Sequence, residues 1–510
     1  MPEKEYYSIT EIRAIEDNAF AMGHTVKELM ENAGKAVAEE VNKRAKKEKN
    51  VVVFAGYGNN GGDGLVAARY LVQEEYDCRV VLTGKKEKFN SVAASSNYEE
   101  LKKILSEEKW NKIKEAEDLE KIKDWLPKNA IFIDALLGIG IKGIPREPFA
   151  SVINYFNETK CRIIALDVPS GYDPDGENPL YVKNPEAIIC LGKNKLRKSD
   201  FPNSDIIVKD IGIPNEAEKI IGIGDLKWFL PQRKKDSHKR ENGVVTIIGG
   251  SLDYIGAPAL SGIGALRTGA DLVYLVVPAF MRQIIACYYP DFITYYTESN
   301  FIGALEVKSA LKDNRYRNSV WVIGPGRDVS RRTKRALKVL LSNKDGKLPI
   351  IIDAGALGVV DDEILKMLSQ QDVILTPHRG EFKRLFKIDL PSNTEEALPI
   401  VSELAKKYQI TLLVKGHHDL ITDGKRGKIN ITGHPGMTVG GTGDVLTGII
   451  AALRGIIKDS FVAACLGAYI SGAAGEKAAE KYGNGLIASD IPEYINSVIS
   501  QARNFRPTEI

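Results

Sequence analysis

Short runs of β-branched and aliphatic residues recur along the chain, each ending in glycines or turn formers and followed by apolar residues at helical spacing. In the first half, VVVFA (51–55), RVVLT (79–83), IFIDA (131–135) and RIIALDVPSG (162–171) read as strands, and LVAARYLVQE (65–74) reads as a helix. The Lys/Glu-rich stretch 101–124 carries no comparable apolar run and reads as a solvated helix face. The pattern lapses around 214–240, where Pro214 is followed by the polar stretch PQRKKDSHKREN (231–242). It restarts with the strand VVTIIGG (244–250), the helix GAPALSGIGALRTG (256–269) and the strand DLVYLVV (271–277). VWVIGPG (320–326), PIIIDAG (349–355), DVILTPH (372–378) and TLLVKG (411–416) follow as further strands. LITDGKRGKINIT (420–432) reads as two strands about a turn that begins at Asp423-Gly424, and 442–481 reads as helical. Such alternation predicts parallel sheets covered by helices on both faces. No repeat of fixed period links the halves, so the expectation is two different α/β domains, 1–222 and 223–510.

A length of 510 residues suits two to four domains and leaves ample material for two cores. The 70 basic and 67 acidic residues nearly cancel, which gives no support to a nucleic-acid or membrane-surface binder. Cys78, Cys161, Cys190, Cys287 and Cys465 form no CxxC or metal-ligand spacing, so reduced thiols in a cytoplasmic protein are expected. The N-terminus is charged from the start, and no apolar run reaches the length of a membrane span. Neither a secretory signal nor a transmembrane helix is expected.

Chemistry concentrates at strand ends. GYGNNGGDG (56–64) follows a strand and opens a helix, the place where backbone N–H groups meet anions. Gly56, Gly58 and Gly61 satisfy GxGxxG, a weak signal alone. Asn59, Asn60 and Asp63 exceed what a phosphate turn needs and suit a hard cation or sugar hydroxyls. A tight turn would use the same residues, because Asn and Asp tolerate left-handed dihedrals. Asp134 ends IFIDA ahead of LLGIGIKG, and Asp167 ends RIIALD ahead of Val168, Pro169, Ser170 and Gly171. Ligands of open α/β sheets sit beyond such carboxyl ends, so these groups are expected to converge. GYGNNGGDG, DALLGIG and DVPSG, in this order, resemble the NAD(P)H-hydrate epimerase family over about residues 8–215. The resemblance implies a Rossmann-like three-layer α/β/α domain with K⁺ held by Asn60, Asp134 and Ser170. It also implies hydrate contacts from Asn59, Asn60, Gly61, Gly62 and Asp63, from Gly138, Ile139, Gly140, Ile141, Lys142, Gly143 and Ile144, and from Asp167. Epimerisation inverts the hydroxyl-bearing carbon and needs proton transfer to and from a hydroxyl or ring position; Asp134 and Asp167 are the candidates for base and positioner, with Asp167 placed at the substrate and Asp134 at the ion.

TVGGTGDVLTGIIAAL (438–453) runs a glycine loop into an apolar helix. Gly440, Gly441 and Gly443 allow close approach to phosphates, and Asp444 stands where it could take a proton from an attacking hydroxyl. A plain helix cap by Thr442 or Asp444 would look similar. Together with GGSLDYIGAPALSGIGALRTGADLV (249–273), IGPG (323–326), TPHRGE (376–381) and Lys415-Gly416, the loop resembles the ADP-dependent NAD(P)H-hydrate dehydratase family over about 225–500. That family is a branch of the ribokinase-like α/β fold. The resemblance implies hydrate contacts at Ala257, Gly326, His378 and Asp444. It implies nucleotide contacts at Lys415, Gly416, His417, His418 and Asp419, at His434, and at Gly440, Gly441, Thr442 and Gly443. Asp444 and Asp167 are then the catalytic residues. ADP is the co-substrate with Mg²⁺, the hydrates NADHX and NADPHX are the substrates, and the assembly is a homo-oligomer.

The match has departures. Gly355 stands where relatives usually carry a second aspartate, Asp419 where threonine is common, and His434 where asparagine is usual; Val439 departs as well. These bear on nucleotide preference more than on reaction type, because Gly440 to Asp444 is intact. Phe149 lies where a tyrosine hydroxyl is often found. Two other readings stay open from the residues alone. One is a small-molecule kinase of vitamin-like alcohols, and the other makes the first domain a non-catalytic ligand-binding module.

Overall fold

A computed structural model describes every residue except 1–3, 46–48, 87, 142 and 317. The chain separates into two compact units, one of residues 2–217 with 506–510 and the other of 218–505.

The first unit is built on seven strands: β1 (Asn50–Ala55), β2 (Asp77–Thr83), β3 (Trp110–Ile113), β4 (Ile131–Ala135), β5 (Arg162–Leu166), β6 (Ala187–Leu191) and β7 (Asp205–Lys209). Their order is β3-β2-β1-β4-β5-β6-β7, and every pairing is parallel. Side chains alternate across a strand, so β1 feeds two cores. Val51, Val53 and Ala55 pack with Leu65, Ala68 and Leu71 of the helix Asn59–Gln73, whereas Val52 and Phe54 pack with Phe132 and Phe156 on the other face. A sheet with both faces covered needs near-continuous apolar strands, which is why these runs are legible.

The second unit has β8 (Val244–Ile248), β9 (Leu272–Val276), β10 (Ile293–Thr294), β11 (Val320–Ile323), β12 (Pro349–Ile352), β13 (Asp372–Leu375), β14 (Thr411–Val414), β15 (Asp419–Thr422) and β16 (Gly427–Asn430). The order is β10-β9-β8-β11-β12-β13-β14-β15-β16; β15 and β16 join antiparallel, about the turn expected at Asp423-Gly424. Val245 and Ile247 face Val445, Ile449 and Leu453 of the helix Thr442–Ile457, while Val244 and Ile248 face Leu337 and Leu340. Both units thus have the α/β architecture expected.

Strand order reverses direction between β1 and β4 in the first sheet and between β8 and β11 in the second. At such a switch point the loops leaving neighbouring strands part in opposite directions and open a crevice at the carboxyl ends. The loops leaving β1, β4, β8 and β11 are the glycine-rich segments at 56–58, 136–143, 249–250 and 324–326.

Three expectations need correction. The stretch 101–124 is not one solvated helix: a helix ends at Lys102, β3 pairs with β2 through Val80 and Trp110, and a short helix Ala116–Ile122 follows. An edge strand with a single partner needs little apolar surface, so charge conceals it. The helix after β1 begins at Asn59 rather than near 65, so Asn59, Asn60 and Asp63 are helical and not turn residues. The stretch 442–481 is two helices, Thr442–Ile457 and Ser460–Tyr482, divided by Lys458 at φ 65° and by Asp459, whose carboxylate caps Val462.

Residues 506–510 complete the first unit. The helix Val26–Arg44 begins with N–H groups that have no partner within the helix. Val26 N and Lys27 N donate to the carbonyls of Thr508 and Glu509 at 2.9 and 3.0 Å, and Ala93 N donates to the Glu509 carboxylate at 3.3 Å.

The helices Ala257–Thr268 and Thr442–Ile457 cross with almost no side chain between them. A Cβ on Gly448 would lie 1.9 Å from the Ser261 carbonyl oxygen, and one on Gly264 would lie 2.6 Å from that of Val445. Gly448→Ala is therefore expected to destabilise the second unit by about 1–3 kcal/mol, as overpacking does; a thermal unfolding midpoint equal to the parent's would refute this close crossing.

Candidate active sites

In the first unit, the glycine loop is pressed against the end of β4. A Cβ on Gly56 would lie 2.1 Å from the Leu136 carbonyl oxygen, and one on Gly61 would lie 1.9 Å from that of Gly56. Only glycine fits there, and the result is to bring the first turn of the helix Asn59–Gln73 beside β4. That helix is capped by Gly58 with no side-chain hydrogen bond, so its leading N–H groups stay available.

Asp134 and Ser170 are fully buried. Asp134 accepts Ser170 N at 2.8 Å and the Ser170 hydroxyl, and that hydroxyl also accepts Leu137 N at 2.9 Å. Burial pushes the Asp134 carboxyl up to about 6, against the lowering effect of the Ser170 bonds. Both amide atoms of Asn60 are buried with no hydrogen-bond partner among the described residues, and a Cβ on Gly138 would lie 3.3 Å from the Asn60 Cβ. A buried amide oxygen without a donor is an expensive arrangement that a cation would relieve. The oxygens of Asn60, Asp134 and Ser170 suit a hard ion. From Gly138 the segment runs outward, and Gly140, Gly143 and Ile144 are exposed, Ile144 by 60%. Arg13 bonds the Ile139 carbonyl at 3.3 Å. Lys142 lies outside the described residues. Phe149 packs its ring toward Gly84.

Asp167 leaves β5 at φ 63°, a left-handed conformation uncommon for a residue with a Cβ. Its carboxylate accepts the ammonium of Lys195, which is 2% exposed. Around this pair lie Asp63 and Glu16. Burial raises both, Asp63 well above the usual carboxylate range and Glu16 to about 7, with the Asp167 charge adding to each and Lys195 opposing. Neither Glu16 nor Lys195 was singled out from sequence. Glu16 sits on a helix (Ile9–Ala21) with no glycine or strand end beside it. Lys195 is one of many lysines, and nothing local marks it as the buried one.

In the second unit, the loops after β8 and β11 interlock. Gly250 N donates to the Pro325 carbonyl at 2.9 Å, and Gly326, at φ 66°, has no room for a Cβ, which would lie 2.5 Å from the Tyr254 carbonyl oxygen. Ala257, at the head of its helix, stands next to Gly326. A Cβ on Gly355 would lie 1.8 Å from the Arg327 carbonyl oxygen, so this backbone approach leaves no space for an aspartate.

The helix Thr442–Ile457 is capped by Gly441 at φ 97° without a side-chain bond, while Thr442 turns its hydroxyl to the Met437 carbonyl at 3.0 Å. The plain cap by Thr442 or Asp444 is therefore not what the structure has, and no side chain among the described residues caps the leading N–H groups, which suits an anion. Asp444 is held through its carbonyl by the Ser261 hydroxyl at 2.8 Å. Its carboxylate is partly buried and takes no hydrogen bond among the described residues. Burial and the nearby charge of Asp353 push it up to about 7, with Lys415 opposing. Asp353, buried at the end of β12, accepts Lys415 Nζ at 2.8 Å and the Thr447 hydroxyl at 2.7 Å. Burial acts to raise Asp353, but Lys415 and Thr447 hold it below its ordinary value. Lys415 Nζ also lies near Gly443, 3.4 Å from where a Cβ would be. Asp353 was not picked out from sequence, although it ends a strand just as Asp134 and Asp167 do.

Ala257, Gly326, Lys415, Gly443 and Asp444 thus gather at the switch point. His378 pairs by backbone with Lys415, while its Nδ1 accepts Gly380 N at 3.0 Å and caps the helix Arg379–Phe386. His434 does the same for Gly436 N at 3.0 Å. His417 and His418 stack with ring centroids 4.5 Å apart. Asp419 accepts Gly416 N and the Asn430 amide, each at 3.0 Å, so its carboxylate closes its own turn. Gly416 and Gly440 are exposed.

Two family models match the chain: YjeF-related protein N-terminus over residues 26–196 and NAD(P)H-hydrate dehydratase over residues 245–497. The bifunctional NAD(P)H-hydrate repair enzyme Nnr of Pyrobaculum aerophilum is 37% identical over 481 residues, covering 92% of this chain and 93% of that protein. The enzyme of the same name from Archaeoglobus fulgidus is 36% identical over 506 residues, covering 98% of this chain and 100% of that protein. A solved structure, the ADP/ATP-dependent NAD(P)H-hydrate dehydratase from Bacillus subtilis co-crystallised with ATP/Mg²⁺, is 24% identical with a TM-score of 0.48, covering 56% of this chain and 98% of that one. Identity above 30% across nearly the whole length of both chains places this protein in the family of bifunctional NAD(P)H-hydrate repair enzymes.

Proposed function

We propose that the second unit removes water from the S form of hydrated NADH or NADPH with consumption of ADP, and that the first interconverts the R and S forms so that both can be repaired. The observation that carries the reading is Asp444: a carboxylate that takes no hydrogen bond among the described residues, at the head of a glycine-capped helix and beside Lys415.

Hydroxide leaves the hydrated ring poorly, and phosphate leaves well. Asp444 takes the proton of the hydrate hydroxyl as its oxygen attacks the terminal phosphoryl group of ADP, which releases AMP. The ring nitrogen lone pair then expels phosphate, and loss of the neighbouring ring proton restores the dihydropyridine. The N–H groups at Gly441 to Gly443, together with Lys415, face the charge on the transferred group. Ala257, Gly326 and His378 hold the hydrate; His378 Nδ1 is spent on its cap, and Nε2 lies 3.5 Å from the Glu381 carboxylate. Lys415 to Asp419, His434 and Gly440 to Gly443 hold the nucleotide, with Asp419 and His434 shaping their loops. Mg²⁺ bound with the nucleotide supplies charge neutralisation on the phosphoryl oxygens.

In the first unit Asp167 takes the hydroxyl proton as the ring C–N bond breaks to give an open-chain aldehyde, and returns it when the ring nitrogen closes on the other face of that carbonyl, while the loop from Asn59 to Asp63 and the segment from Gly138 to Ile144 enclose the ring. Asn60, Asp134 and Ser170 would hold K⁺, which supplies a fixed positive charge beside the substrate.

With both epimers, ADP and Mg²⁺ present, reduced-nicotinamide absorbance is expected to return in full. Asp444→Asn should slow that return by about 10²–10⁴-fold while epimer interconversion continues at the parent rate; a stable phosphorylated product would indicate a kinase instead. Asn60→Ala should leave dehydration intact, confine recovery to the S fraction and abolish any response of epimerisation to K⁺. Finally, Asp444 works as a base only when ionised, and its carboxyl is raised to about 7. Dehydration kcat/KM should therefore climb as pH rises through about 7 and level off above it. Asp353→Asn removes the like charge that disfavours ionisation, so the climb should move to lower pH; an unmoved profile would exclude Asp444 as the titrating base.

A further inference from the structure

Asp167 is held by more than its place in the sheet. Its N–H donates to the Ile189 carbonyl at 2.8 Å, extending the β5–β6 ladder by one residue. At φ 63° the chain then turns away, and the carboxylate substitutes for the next backbone carbonyl by accepting Leu191 N on Oδ1 at 3.3 Å. The Lys195 ammonium donates to the same Oδ1 and, at 2.6 Å, to the Leu191 carbonyl. Every hydrogen bond this carboxylate takes among the described residues falls on Oδ1, so Oδ2 is left without a partner.

We propose that Lys195 is the positioning residue of the epimerase site: its buried ammonium clamps Asp167 Oδ1 to the end of β6 and leaves Oδ2 as the atom that exchanges the hydrate's hydroxyl proton. The proposal rests on the reading of Asp167 as the base. Burial acts against a charged lysine here, but the charge of Asp167 and its hydrogen bond, with Glu16 beside them, outweigh it and raise Lys195 above its ordinary value, so the clamp is charged at neutral pH. The groups that surround the pair are Arg13, Glu16 and Asp17 on the helix Ile9–Ala21, Asp63 on the helix Asn59–Gln73, and Cys190 on β6. Three of the carboxyl groups, Glu16, Asp63 and Asp167, are coupled to one another and to this one ammonium. Without it, a partly buried carboxylate faces two further acids with its counter-charge gone, which disfavours ionisation.

The test uses the full chain and assays epimer interconversion, with dehydration of the pure S hydrate as the control for an intact protein. Lys195→Met is expected to lower epimerisation kcat by about a hundredfold with KM changed by less than about threefold, because an orienting group is lost and not a binding one. The acid side of its pH profile should shift to higher pH, so that raising the pH recovers part of the rate. Lys195→Arg, which keeps the charge, should restore the parent profile in shape. The double variant Asp167→Asn/Lys195→Met removes both charges of the pair; its rate should equal that of Asp167→Asn alone. Equal loss at every pH in Lys195→Met, or a double variant slower than Asp167→Asn, overturns the proposal. If Asp167→Asn itself keeps the parent rate, the assignment of the base fails; if it is inactive while Lys195→Met is fully active, only the clamp fails.

Discussion

In each unit a strand-end aspartate is neutralised by a lysine, and the rest of the site is arranged around that pair. Asp167 with Lys195 and Asp353 with Lys415 stand at the carboxyl ends of β5 and β12. Removing one partner of a buried pair typically costs about 3–5 kcal/mol, so neither pair is a casual contact. A second carboxylate lies close to each pair, in the opening turns of the helix that follows the glycine loop: Asp63 in the first unit and Asp444 in the second. In both cases partial burial and the charge of the strand-end aspartate raise the second carboxyl. One acid in each pocket thus holds its proton more tightly than an ordinary carboxyl group, which suits a group that moves a proton near neutral pH.

The glycines make this arrangement possible. Gly56 and Gly61 let the first loop lie against β4, and Gly264 and Gly448 let the helix bearing Asp444 lie against the helix that begins at Ala257. These close approaches bring the raised carboxylates to the switch points of their sheets. A methyl group at any of these four positions would meet backbone oxygen, so the constraint is steric and not a matter of helix or strand preference.

Much of this was legible in the chain. Buried parallel strands must be apolar on both faces, so β1, β4, β5 and most of the second sheet announce themselves, and glycine loops at their ends mark the switch points. Asn60, Asp134, Asp167, Ser170 and Asp444 could be picked out because each follows such a strand or loop. What stayed hidden was whatever depends on distant partners. β3 lies in a charged stretch because an edge strand buries little. Glu16 reaches the first site from a helix far upstream, and Lys195 differs from other lysines only in where the fold buries it. Asp353 carried the same strand-end signal as Asp134 and was overshadowed by the neighbouring Gly355, whose lack of a side chain is explained by the Arg327 carbonyl lying against it.

The segment 506–510 seats the leading N–H groups of the helix Val26–Arg44 after the chain has run through the whole of the other unit. Synthesis therefore presents the epimerase unit first but supplies its last backbone acceptors only once every residue of the dehydratase unit has been made. An isolated fragment cut anywhere between the two units would leave those amides facing water.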